Sequence, residues 1–83
     1  MNIKKIKFDL MNIYKNYLSD PENEENKILA GKFYNKYKDL DPILKPEIAT
    51  AINNLVDIGF NTGVKKSQDK IKEILKELEN DIS

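Results

Sequence analysis

Residues 68–82 read QDKIKEILKELENDI. Ile71, Ile74, Leu75, Leu78 and Ile82 recur at steps of three, one, three and four, which lays one apolar stripe along a helix of 3.6 residues per turn. Every other position is Lys, Glu, Asp, Asn or Gln. A helix of this length is marginal in water unless its stripe is covered. The preceding residues must therefore supply the covering surface.

They offer three more patterns of the same kind. In the first, about residues 2–18, Ile3, Ile6, Leu10, Ile13 and Tyr17 fall at heptad-like spacing, and Phe8, Met11, Tyr14 and Leu18 widen the seam to a face for two neighbours. The second ends near residue 40. Asp20 is its expected cap, Pro21 its first helical position, and Glu22, Glu24 and Glu25 suit the positive end of its dipole. Its expected core face is Ile28, Leu29, Phe33, Tyr37 and Leu40, with Ala30 and Tyr34 alongside. Gly31 costs about 1 kcal/mol of helix propensity and leaves room for a neighbouring helix to come close. Lys27, Lys32, Lys36 and Lys38 decorate the outside, either as a solvated face or, with Tyr34 and Tyr37, as a surface for phosphates or an acidic partner.

Asp41-Pro42 and Lys45-Pro46 then break the helical pattern, with Ile43 and Leu44 between them expected to plug one end of the core. A third helix is predicted over about residues 46–60, with Ile48, Ala51, Ile52, Leu55, Val56 and Phe60 on one side and Ala49 and Ile58 extending the arc. Carrying only Glu47 and Asp57 as charges, it should be the most enclosed. Asn61-Thr62-Gly63 ends it, Val64 covers the junction, and Ser67 is the expected cap of the closing helix, with Asp69 in its first turn. Four amphipathic helices with short connections predict an all-α fold, an antiparallel, left-handed four-helix bundle in a single domain over residues 1–83.

Composition narrows function mainly by exclusion. The chain has 83 residues, near the lower limit for an unaided core, with no Cys for disulfides and neither Cys nor His for zinc. Fourteen basic residues, all Lys, balance fourteen acidic ones. The missing Arg and absent basic surplus argue against nucleic acid as a partner. Apolar runs are too short to span a bilayer, and Lys4, Lys5 and Lys7 are followed by a polar-interrupted segment unlike a secretory signal, so the expected location is the cytoplasm. Without His or Cys the usual general base, soft-metal ligand and thiol nucleophile are missing. Ser19, Ser67 and Ser83 have no base beside them, and Gly31, Gly59 and Gly63 are too scattered for a phosphate loop. The reading is a non-enzyme with no catalytic residue, cofactor or metal, one that works by binding.

The segments LMNIYKNYLSDP, KILAGKFYNKY and INNLVDIGFNTGVKKSQDKIKEILKEL resemble the immunity proteins that protect producers of pediocin-like (class IIa) bacteriocins, the enterocin A immunity family. The carrying residues are Leu10, Ile13, Tyr14, Leu18, Asp20 and Pro21, then the Lys-rich second helix and the Asn/Gly turn into the closing helix. Members often continue into a C-terminal tail beyond the fourth helix, whereas this sequence stops at Ser83. The resemblance implies a cytosolic four-helix bundle from a Gram-positive bacterium that confers antimicrobial resistance without catalysis. Its implied partner is a mannose phosphotransferase-type transporter with bound bacteriocin, met at the inner face of the membrane. Under that reading Lys65, Lys66 and Lys70, with Glu73 and Glu77 on the polar side of the last helix, are the candidate partner-binding residues. The lysines would also be drawn to anionic headgroups by about 1 kcal/mol each. The alternatives are a small phage or mobile-element inhibitor of another macromolecule, and a helical interaction module, monomeric or weakly dimeric through surplus apolar surface.

Overall fold

A computed structural model describes residues 3–39, 46–60 and 65–80, with side chains in the last segment from residue 68. Helix follows wherever the apolar period is 3.6: α1 (Ile3–Ser19), α2 (Glu24–Tyr37), α3 (Pro46–Asn53), α4 (Leu55–Gly59) and α5 (Lys65–Asn80). The fold is all-helical, with no strand among the described residues. The stripe of α5 is used as its spacing requires, with Ile71, Ile74, Leu75 and Leu78 buried. It rests on α1 and α3, while α2 leans on α4. The core joins these residues to Ile6, Leu10, Met11, Ile13, Tyr14 and Tyr17 of α1, Ala30 of α2, and Ile48, Ala51, Ile52, Leu55 and Ile58 of α3 and α4. The expectations for Leu40, Ile43, Leu44, Val64 and Ile82, and for the turn at residues 61–63, lie outside the described residues.

The start of α2 is three residues later than Asp20 and Pro21 suggest. The Asp20 carboxylate accepts the Glu22 N–H at 3.2 Å and its carbonyl accepts the Asn23 N–H at 3.1 Å, so residues 20–23 form a turn. Asn23 is the cap, its side-chain oxygen accepting the Asn26 N–H at 3.1 Å. Glu24 and Glu25 then occupy the first turn, as dipole complementarity favours. Lys27, half-buried, lies 3.9 Å from Glu22 and 3.8 Å from Glu24, whose exposed carboxylates make these long pairs worth little. Asn23→Ala should lower stability by about 1 kcal/mol, read as a shift of the urea midpoint with unchanged slope.

The face that α2 presents to the core keeps Ala30, Phe33, Tyr34 and Tyr37 of the expected set but not Ile28 and Leu29. Asn26 and Ala30 are buried and Phe33, Tyr34 and Tyr37 half-buried, whereas Ile28 and Leu29 are exposed. The cause is a glycine contact. A Cβ built on Gly59 would stand 3.2 Å from the Gly31 nitrogen and 3.4 Å from both the Gly31 Cα and the Lys27 carbonyl oxygen. The α2 and α4 backbones thus meet at Gly31 and Gly59, which turns the Lys27–Gly31 side of α2 toward α4. Asn26 ties the other side to α1, its Nδ2 donating to the Ile13 carbonyl at 3.0 Å. Its buried Oδ1 has no protein partner among the described residues, at a cost of about 1 kcal/mol or more.

The predicted third helix is broken at Asn54. In an unbroken helix the Ala51 carbonyl accepts from residue 55. Here it accepts the buried Tyr14 hydroxyl at 2.6 Å. Asn54 holds the break, its backbone N–H and its Nδ2 both donating to the Thr50 carbonyl, at 3.0 and 2.8 Å, while the Asp57 N–H reaches the Asn54 carbonyl at 3.0 Å. Ile48, Ala51, Ile52, Leu55 and Ile58 remain in the core, but Val56 and Phe60, expected there, are exposed, Phe60 to 67%. Phe8, expected to widen the α1 face, is also exposed. Ser67 lies inside α5, which begins at Lys65, and so is not its cap.

Candidate functional site

The polar side of α5 carries the predicted partner-binding residues. Lys70, Glu73 and Glu77 are all exposed and recur at three and four residues, so they form one edge of the helix. Lys65 and Lys66 begin α5, and their side chains lie outside the described residues. The edge mixes one cation with two anions on flexible stems. Such an edge can make exposed charge-assisted contacts with a partner.

A second feature escaped the reading by residue type. Between α1 and α2 runs a solvent-open groove of about 380 Å³, lined by Lys5, Ile6, Asp9, Leu29, Lys32, Phe33, Lys36 and Tyr37. It lies beside α1 where α2 leans on α4, with Leu29 exposed and Phe33 half-buried. Phe33 and Tyr37 pack with ring centroids 4.6 Å apart, tilted by 48°, and the Lys36 ammonium sits 5.2 Å from the Tyr37 centroid. Three lysines against one aspartate give the rim a positive bias that the neutral chain as a whole lacks. The i, i+4 pairs Lys32–Lys36, Leu29–Phe33 and Lys5–Asp9 are visible in the sequence. Their convergence depends on how two helices face each other, which no single-helix pattern encodes. Lys38, also read as outer surface, is exposed, with its ammonium 5.9 Å from the Tyr34 ring centroid.

Among the described residues, the titratable side chain with a clear shift is structural. Burial pushes the Tyr14 hydroxyl far above its ordinary 10.0, and the nearby Asp57 carboxylate pushes it the same way. Donating to Ala51 in the core, it is positioned to hold a helix break rather than to exchange protons with a substrate. Among the described residues, no group of three or more Asp or Glu is placed to hold a metal ion, and no helix is long and apolar enough to cross a membrane. No protein-family model, curated protein or solved structure matches the chain.

Proposed function

We propose that the protein acts by binding, without catalysis, as an immunity protein of the class IIa bacteriocin kind. In this reading its helices run alternately up and down as a left-handed bundle in the cytoplasm. Its partner is the bacteriocin-engaged membrane receptor, of the mannose phosphotransferase type, met at the cytoplasmic face. The observation that supports it most is the division of labour on α5. The apolar side is consumed by packing on α1 and α3, and Lys70, Glu73 and Glu77 stand exposed on the other. Peripheral contact with the inner leaflet would add to binding through Lys65, Lys66 and Lys70.

Expression of the chain in a sensitive strain should raise its tolerance to the cognate member of a panel of class IIa bacteriocins. The Glu73→Lys/Glu77→Lys variant should lose that protection while keeping its thermal stability within about 0.5 kcal/mol, since both positions are exposed. Killing unchanged across the whole panel by the unmodified chain would overturn the reading. A helical interaction module is the second reading, favoured by Phe8 and Phe60, exposed to 63% and 67%. It predicts no change in tolerance.

A further inference from the structure

We propose that the groove between α1 and α2 is a second binding surface, and that it takes an acidic amphipathic helix of a protein partner. The inference does not rest on the immunity reading. Three properties of the groove point to this occupant.

The first is charge. Lys32 and Lys36 stand exposed on the α2 side of its rim, with Lys5 and Asp9 on the α1 side. Neither Lys32 nor Lys36 forms an ion pair among the described residues. A partner bringing carboxylates would complete them.

The second is the floor. Leu29, exposed to 49%, continues into half-buried Phe33 and Tyr37 and buried Ile6. An apolar stripe laid there removes Leu29 and the Phe33–Tyr37 ring edge from water, the usual driving force of a helix-in-groove contact.

The third is spacing. Lys32 and Lys36 are one helical turn apart on α2, the separation at which carboxylates at i and i+4 of an opposing helix repeat. The lysines offer mobile point charges, and the groove is open to solvent. A pocket for a small metabolite would instead fix its ligand with a few set polar groups in an enclosed site.

The test is a titration of the 15N-labelled chain with a synthetic helical peptide of about 15 residues bearing a Leu stripe flanked by Glu at i, i+4. Saturable shifts are expected at Asp9, Leu29, Lys32 and Lys36, weakening as salt is raised. Lys32→Glu/Lys36→Glu should reduce affinity at least about tenfold, with Lys32→Gln/Lys36→Gln intermediate. Lys15→Glu, exposed on α1 away from the groove lining, should leave it unchanged. Because Lys32 and Lys36 are exposed, unaltered circular dichroism of the double variants is expected and keeps the comparison valid. Absence of shifts, shifts elsewhere, or equal binding by the peptide with Lys in place of Glu would overturn the proposal. So would groove shifts caused by phosphatidylglycerol vesicles and not by the peptide, which would assign the surface to a membrane instead.

Discussion

Gly59→Leu is expected to destabilise the protein by about 3 kcal/mol, and Gly31→Ala, at the same helix crossing, to stabilise it by about 0.5–1 kcal/mol. The two glycines look equivalent in the sequence but meet different surroundings. A Cβ on Gly59 stands 3.2 Å from the Gly31 nitrogen and 3.4 Å from a carbonyl oxygen, and backbone cannot swing aside as a flexible side chain can. A whole leucine there must prise α2 from α4. A Cβ on Gly31 finds its nearest neighbour in the Phe60 ring at 3.9 Å, an ordinary contact, while alanine removes the conformational freedom that glycine gives the unfolded chain. For a domain of this size about 3 kcal/mol corresponds to roughly 12–24 °C in Tm. Thermal unfolding of both variants by circular dichroism checks the pair. Equal effects of either sign would show that the crossing does not depend on which glycine carries the added carbon.

Tyr14→Phe should cost about 2 kcal/mol at neutral pH, with a dependence on pH that a simple packing loss would not produce. The substitution keeps the ring and deletes the donor, stranding the buried Ala51 carbonyl that accepts from it at 2.6 Å. The folded hydroxyl is held well above its ordinary 10.0, chiefly by burial and further by Asp57. Above pH 10 the unfolded chain therefore releases this proton while the folded chain keeps it. The unfolded state then binds fewer protons, and stability falls as pH rises, by up to about 1.4 kcal/mol per pH unit for this group. The contribution is fully present below pH 10. Phenylalanine has no proton to lose, so the gap between the two proteins should narrow steadily above pH 10. Urea unfolding of both from pH 8 to 11.5 measures it, and other groups that titrate alike in both cancel in the difference. A gap constant across that range would mean that Tyr14 exchanges its proton as readily folded as unfolded.

What the sequence conveyed well was the division of one helix into apolar and polar sides where the two separate cleanly. The α5 stripe could be read because its apolar and polar residues separate cleanly, and the same pattern marked Lys70, Glu73 and Glu77 as outward-facing. On α2 the sequence marked Ala30, Phe33, Tyr34 and Tyr37 and the close approach at Gly31, but it placed Ile28 and Leu29 wrongly, because which way a glycine contact turns a helix carries no hydropathy signal. Ile28 and Leu29 drew the face toward themselves instead. The break at Asn54 was hidden for another reason. It accompanies a hydrogen bond from Tyr14, 37 residues earlier in the chain, and nothing in the residues around position 54 announces a hydroxyl arriving from outside. The groove shares that difficulty, since its lysines and apolar residues come from two helices whose mutual orientation is set by a third.

The packing of α5 on α1 also bears on how the chain comes to be folded during synthesis. At about 5–20 residues per second, several seconds separate the completion of α1 from the arrival of the helix that covers it. Over that interval Leu10 and its neighbours have only α2 and, later, α3 for shelter. The first helix made must therefore wait for the last. A nascent chain halted before residue 65 should be a client for holding chaperones, with its greasy surface turned outward until release.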